Sequence, residues 1–192
     1  MSKPLIIGIA GPAGSGKSIA ADFLKRLLGA EERNFADPLK AVASILFDVP
    51  IEKFNTQGGK AEFNEFWGIT HREMLQKFGT EAMRYGVRDD FWVKRLESLL
   101  LHSKSTCVLI GDVRFPNEAQ FIYDQGGFLI HIVRPGNPHL TIEAAAHVSE
   151  QALPVKEGDY AIRNSASKAF LRSELFKIVM HNEEAYKLLD NI

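Results

Sequence analysis

The stretch "GPAGSGKS" at residues 11–18 sets a lysine and a serine directly behind a glycine, with two more glycines upstream. It satisfies the spacing G-x-x-x-x-G-K-S through Gly11, Gly16, Lys17 and Ser18. The chemistry of that spacing is phosphate binding. Glycines let successive backbone N–H groups converge on anionic oxygens where side chains would block the approach. Gly11, Ala13, Gly14, Ser15, Gly16, Lys17, Ser18 and Ile19 are therefore the candidate holders of a nucleoside triphosphate. Lys17 should reach the β- and γ-phosphates, and the Ser18 hydroxyl should ligate Mg²⁺. A helix beginning near Lys17 would add its partial positive N-terminus.

Four further segments carry groups suited to a second substrate. In "FADPLK" (35–40) Asp37 could orient or deprotonate an acceptor oxygen, with Lys40 on the helix that follows; Asp37 could equally be the N-cap before Pro38. In "THREMLQKFGTEAMRYGVRDDFW" (70–92) a helical wheel puts Met74, Leu75, Phe78 and Ala82 on an apolar stripe. Arg72, Gln76 and Gly79 fall on a separate stripe. A glycine in mid-helix costs about 1 kcal/mol against alanine, so Gly79 calls for the close approach of a ligand or of another helix. Arg72, Arg84 and Arg88 offer planar forks for phosphate, and Gln76 an amide for a base edge; a solvated charged face is the ordinary alternative for any single arginine.

In "CVLIGDVRFPNEA" (107–119) Asp112 closes an apolar strand, the place for a carboxylate that holds a metal's water shell. Arg114 follows on the edge where ligands bind such sheets, and Asn117 could cap the next helix. In "IHIVRPGNP" Arg134 leaves a strand where a donor nucleotide would be covered. Trp92, Phe66 and Trp67 could line a base pocket or pack in a core. His131, inside a strand pattern, is expected to be a packed core residue, and His139 and His147 to lie on the surface.

The elements that must position these groups alternate. "LIIGIA" (5–10), "CVLIGD" (107–112) and "FLIHIV" (128–133) are near-continuous apolar runs, as in strands covered on both faces, with weaker strands at 33–37 and 160–164. Helical patterns lie at 17–28, 38–47, 70–84, 89–102, 117–124 and 167–180. This rhythm predicts an α/β domain with a parallel sheet. Residues 50–69 read as a loop marked by Gly58 and Gly59, and residues 135–150 as a lid-like insertion.

The 192 residues carry 23 Lys+Arg against 24 Asp+Glu, a net charge of -1, so no electrostatic footprint for duplex nucleic acid or an anionic membrane exists and any bound anion must be held locally. A single cysteine, Cys107, excludes an intramolecular disulfide and a zinc site built on paired cysteines. The apolar run at 5–10 is too short for a signal-peptide core, and no run has the length of a membrane span, so a soluble cytoplasmic protein is expected. No Asn-Lys-x-Asp string for reading guanine occurs, which turns the expectation from a GTPase to a small kinase.

The strings "FADPLK", "REMLQKFGTEAMR", "DFWV", "GDVRFPNEA", "GGFLIHIVRP", "HVSE" and "YAIRNSAS", in this order after the glycine-rich loop, resemble the bacteriophage-type deoxynucleoside monophosphate kinases from about residue 5 to about residue 175. The resemblance implies ATP as phosphoryl donor, Mg²⁺, a dNMP acceptor, and dNDP and ADP as products. It implies a P-loop kinase three-layer sandwich: a mostly parallel five-stranded sheet in a single domain over 1–192, with an acceptor-binding flap or insertion at about 38–104 and a lid at about 134–151. It places Arg114 on the acceptor phosphate and Asn164 near the donor. Lys17, Asp37, Arg72, Arg114 and Arg134 become the candidate catalytic residues. Asp37, Lys40, Arg72, Gln76, Arg84, Arg88, Trp92 and Arg114 become the candidate acceptor residues, and Ser18 and Asp112 the metal ligands. It is compatible with a homodimer and, for a phage-encoded protein, with the host cytoplasm. The segment 135–150 contains no arginine, unlike the lids of adenylate kinases. A kinase of another small acceptor (dephospho-coenzyme A, shikimate or gluconate) and a non-kinase ATP-binding switch module are the alternatives.

Overall fold

A computed structural model describes residues 3–136, 148 and 151–189. The apolar runs form strands and the amphipathic ones helices, in the order β1 (Leu5–Ala10), α1 (Lys17–Leu28), β2 (Glu31–Glu32), α2 (Asp37–Phe47), α3 (Ile51–Asn55) and α4 (Gln57–Ala61). A hairpin of β3 (Phe63–Asn64) and β4 (Ile69–Thr70), α5 (His71–Gln76), a π-helix (Lys77–Tyr85) and α6 (Phe91–Leu100) follow. The described chain ends with β5 (Cys107–Val113), α7 (Pro116–Asp124), β6 (Phe128–Val133), β7 (Tyr160–Arg163), α8 (Lys168–His181) and α9 (Glu183–Leu189). The expected lid at about 134–151, with His139 and His147, lies almost wholly outside the described residues.

Two compact units result: Met1–Asn34 with His102–Ile192, and Phe35–Leu101. The first is built on a five-stranded sheet in the order β2-β5-β1-β6-β7, every neighbouring pair parallel. Ile7, Ile9, Leu109, Ile130 and Ile132 turn one face of it to Ala20, Ala21 and Leu24 of α1 and to Leu171 and Leu175 of α8. On the other face a Cβ built at Gly8 would meet Leu129 at 2.4 Å and Ile122 of α7 at 2.6 Å, so glycine lets the helix layer close down on the sheet. Burial on both faces is why these strands read as unbroken apolar runs. The expected strand at 33–37 is instead the two-residue β2; beyond it the Arg33 N–H reaches Leu109 O at 2.9 Å and the pairing stops.

The second unit packs Ala43, Val49, Phe54 and Met74 together, with Phe47, Ile69 and Leu75 against them. Residues 50–69 are not the plain loop that their composition suggests, since they fold into α3, α4 and the β3–β4 hairpin. The Thr70 side chain accepts the Glu73 N–H while the Glu73 carboxylate accepts the Thr70 N–H, a reciprocal cap that starts α5. The helix expected at 70–84 changes pitch at Lys77. Each π turn takes in an extra residue, so the wheel loses its phase. Ala82 ends up exposed, whereas Gly79, Thr80 and Arg84 are buried. Gly79 has the helix-contact reason: a Cβ there would stand 2.6 Å from Leu39 Cδ2 on α2.

His131 is a buried strand residue, as expected, and belongs to a polar knot centred on the fully buried Asp159 side chain. Asp159 accepts from Leu129 N (2.9 Å), Lys156 N (2.9 Å) and Tyr123 OH (2.8 Å), and pairs with His131 Nε2 at 3.1 Å. Burial pushes its carboxyl up, but the N–H groups of Lys156 and Leu129 and the Tyr123 and His131 side chains outweigh this and hold it below the usual carboxylate range. A depressed folded-state pKa contributes stability that is present above the ordinary pKa of about 4 and is lost as pH falls through the folded value. Asp159→Asn should thus lower the unfolding free energy by about 1–3 kcal/mol at pH 7, with the gap to the parent narrowing in acid. Urea titrations at neutral and acid pH check this; a gap constant with pH would take the role away from the carboxylate.

Candidate functional site

Ala10 ends β1 and the chain enters an arch that only glycine can make. Gly11, Gly14 and Gly16 have φ of 147°, 74° and 113°. A Cβ at Gly11 would lie 2.2 Å from Ile132 O, and one at Gly16 would lie 2.6 Å from Asn164 Nδ2, so the loop is pressed onto the ends of β6 and β7. Gly16 occupies the N-cap of α1, with no side-chain cap and no acidic residue in the first turn. No acidic side chain in that first turn competes with an anion at the helix N-terminus. Lys17 Nζ donates to Gly11 O (2.6 Å) and Pro12 O (2.8 Å), which centres the ammonium inside the arch. Ala13 and Ser15 are buried, Ser18 is exposed and Ile19 half-buried; Ser15 Oγ is buried without a hydrogen-bond partner.

Because the sheet is parallel, the carboxyl ends of β1, β5, β6 and β7 share one edge, which brings the residues after them together. Asp112, in the last turn of β5's pleat, and Arg114, just past it, are both half-buried. The Arg114 and Phe115 N–H groups donate to Glu118 Oε2 at 2.8 and 3.1 Å. This buried carboxylate was not among the expected residues, although a Glu three positions inside a helix start is its signal. Asn117 does not cap α7; Phe115 occupies that position and Glu118 supplies the oxygen. Arg134 is exposed directly after β6. Asn164, directly after β7, donates from Nδ2 to Ser15 O at 2.8 Å and from its N–H to Val133 O at 2.8 Å, so it touches the arch itself.

In the second unit, Asp37 is the first residue of α2 rather than its cap, which falls to Ala36, and it pairs with Lys40 Nζ at 3.6 Å. Arg72 donates to Gln57 Oε1 at 2.9 Å, and Gln76 is half-buried. Arg84, 3 % exposed, donates to Asp89 O at 2.7 Å. Arg88 is exposed and holds Asp90 with two hydrogen bonds, which lower the Asp90 carboxyl and raise the guanidinium. Trp92 is 7 % exposed, and its Nε1–H donates to Gly79 O at 2.9 Å, pinning the π-helix. Phe66 and Trp67 are exposed, packed edge-to-face at 5.2 Å, and Trp67 donates to Phe47 O at 2.9 Å.

Residues 59–175 match the sequence model of a family described as deoxynucleotide monophosphate kinase. The chain is 39 % identical over 145 residues to an Acanthamoeba polyphaga mimivirus protein carrying that name, a match covering 69 % of this chain and 75 % of that one. The chain belongs to the deoxynucleotide monophosphate kinase family. Two phage members of the family are similar over shorter stretches. The deoxynucleoside-5'-monophosphate kinase of Escherichia phage T5 is 34 % identical over 46 % of this chain and 36 % of its own length. The deoxynucleotide monophosphate kinase of Enterobacteria phage T4 is 28 % identical over 57 % and 44 %. The chain thus spans less than half the length of these phage relatives. A solved Thermus thermophilus structure superposes with a TM-score of 0.53 at 20 % identity, covering 94 % of this chain and all of that one. A Chloroflexus aurantiacus structure does so with 0.52 at 12 %, covering 94 % and 98 %, and both likenesses concern the fold alone. Among the described residues no helix is long and apolar enough to cross a membrane.

The stretch matched to the family begins after the glycine arch, so the arch stands on its own geometry. Asn164→Ala would leave the buried Ser15 carbonyl without its donor. The expected outcome is a loss of about 1–3 kcal/mol in stability together with weaker ATP binding, measured by denaturant unfolding and calorimetry. Unchanged ATP affinity would restrict Asn164 to a packing role.

Proposed function

We infer that the chain transfers the γ-phosphoryl group of ATP to the phosphate of a deoxynucleoside monophosphate, giving dNDP and ADP. The observation that carries this is the arch of Gly11–Ser18 with Lys17 centred in it, in a chain whose family is that of the deoxynucleotide monophosphate kinases. An oxygen of the acceptor phosphate attacks the γ-phosphorus, and the bond from that phosphorus to the β–γ bridging oxygen breaks, leaving ADP. This transfer asks for in-line placement, charge neutralisation and exclusion of water rather than covalent chemistry by the protein.

The backbone N–H groups of the arch and the N-terminus of α1 hold the triphosphate, and Lys17 moves its ammonium from the loop carbonyls to the β- and γ-oxygens. Asn164 serves the donor by fixing Ser15. The donor set available to a metal is the Ser18 hydroxyl and the Asp112 carboxylate, with no cluster of three or more His, Cys, Asp or Glu among the described residues. Two hard oxygen ligands suit Mg²⁺, which keeps several waters and takes its remaining ligands from phosphates. When bound, it would neutralise charge on the β- and γ-phosphates.

For the acceptor, Arg72, Arg114 and Arg88 are the forks we assign to phosphate, and Arg134 is assigned to the transferring group. Arg88 reaches a phosphate by exchanging Asp90 for it. Asp37 and Lys40 are assigned to the sugar or the attacking oxygen, and Gln76 to the base. Arg84 and Trp92 act through the segment they brace, by way of Asp89 and Gly79.

An ADP-release assay with the four dNMPs and the matching NMPs tests the reading. ADP production should depend on a deoxynucleotide acceptor; ADP release indifferent to every acceptor would replace the kinase with a switch-like ATPase. Lys17→Ala should reduce kcat by about a hundredfold or more with the circular-dichroism spectrum unchanged. A near-normal rate would remove Lys17 from the chemistry. Arg114→Ala should raise the dNMP KM more than the ATP KM, and the reverse pattern would move Arg114 to the donor side.

A further inference from the structure

Asp112 sits on an irregularity of the sheet. Along β1 and β5 the partners are Ile7 with Leu109 and Gly8 with Ile110, but Ala10 is opposite Val113. One residue of β1, Ile9, therefore faces two of β5, Gly111 and Asp112: a β-bulge, the device by which a strand re-aims a side chain. The change of phase shows in the neighbours. Cys107 and Leu109 belong to the face covered by α1, and a Cβ built at Gly111 would stand 3.5 Å from Ala21 Cβ on that helix. Strict alternation would put Val113 on the same face. Instead Val113 Cγ2 would be 3.0 Å from a Cβ at Gly8, on the face covered by α7. Counting back one residue from Val113 returns Asp112 to the α1 face, where Ser18 lies in the first turn. Without the bulge Asp112 would project to the α7 face.

The other side of the bulge is held by a side chain. In a regular parallel ladder the residue whose N–H reaches Leu109 O would return its own carbonyl to the Gly111 N–H. That residue is Arg33, with its N–H on Leu109 O at 2.9 Å. The Gly111 N–H goes instead to Asn34 Oδ1 at 2.8 Å, and Asn34 Nδ2 donates to Glu32 Oε1 at 3.3 Å. The side-chain amide of Asn34 thus extends the edge strand past the end of β2 at the bulged position, and Glu32 sets which end of the amide faces Gly111.

We propose that Asn34 is a positioning residue: by accepting the Gly111 N–H it holds the β5 bulge that turns Asp112 toward the sheet face carrying α1 and Ser18. The proposal rests on Asp112 acting as the metal-side carboxylate. Asn34→Ala should accelerate hydrogen exchange at the Gly111 amide at least tenfold in the free protein, read by NMR. It should also raise the Mg²⁺ concentration needed for tight ATP binding by about tenfold, read by calorimetry, in the range found for residues that orient a metal's ligands. The pair Asn34→Asp with Glu32→Gln reverses donor and acceptor between the two side chains, keeps an oxygen on Gly111, and should restore both values. Asp112→Asn is the reference: it should shift the Mg²⁺ dependence alone, and adding Asn34→Ala to it should shift that dependence no further. Unchanged exchange at Gly111 in Asn34→Ala overturns the proposal, as does faster exchange with an unaltered Mg²⁺ requirement. An Mg²⁺ dependence untouched by Asp112→Asn overturns the metal role of Asp112, and the aiming role with it, even where the Gly111 amide responds.

Discussion

The glycine arch lies closer to the ends of β6 and β7 than any side chain allows, and the rest of the first unit is arranged around that approach. Ile132 O would stand 2.2 Å from a Cβ on Gly11, and the Asn164 amide 2.6 Å from one on Gly16. Such contact requires β1 to be central, with β6 directly beside it and β7 next, which is the observed order. It also requires parallel strands, since only then do the arch, Asp112, Arg114, Arg134 and Asn164 emerge at one edge. A chain of net charge -1 has no general attraction for a triphosphate. Affinity must be supplied locally, and two of its sources, the oriented N–H groups and the centred ammonium, depend on the arch keeping its shape.

Wherever local pattern and tertiary contact agree, the fold was legible in the sequence. β1, β5 and β6 are runs of branched apolar residues because helices cover them twice, and the helices between them carry ordinary amphipathic stripes. The motif at residues 11–18 could be recognised from spacing alone, since its glycines answer a backbone demand that few other folds make. The misses have a common cause. β2 stops after Glu32 because the Asn34 side chain takes the next hydrogen bond, and nothing within five residues announces that. The π-helix meets Leu39 and the Trp92 indole at Gly79, contacts 40 and 13 residues away in sequence that no local pattern announces. A wheel that assumes one pitch had to lose its phase there, and so it misplaced Ala82.

The candidate site divides in the same way. Lys17 and Ser18 were legible because the motif names them. Asn164 was expected near the donor, but its contact with Ser15 spans 149 residues and becomes visible only in three dimensions. Glu118 illustrates a weaker signal: its place in the first turn of α7 fits a cap, yet that it fastens the backbone of Arg114 follows from burial and distance alone. Asp159 gathers donors from three elements of chain, so no local pattern could have pointed to it.

The arginines of the second unit show why counting basic residues does not rank them. Arg84 is buried and already donates to Asp89 O, and exchanging partners is costly for a guanidinium withdrawn from water. Arg88 has the opposite character. Its pairing with Asp90 is exposed, where solvent screens an ion pair strongly, and a phosphate can replace the carboxylate at little cost. Arg72, half-buried and bonded to a neutral glutamine oxygen, lies between them: it is preorganised by Gln57 but not neutralised by it. Preorganisation without neutralisation is what a phosphate-binding fork needs, and on that ground Arg72 is the first of the three to assign to an acceptor phosphate, with Arg84 the last.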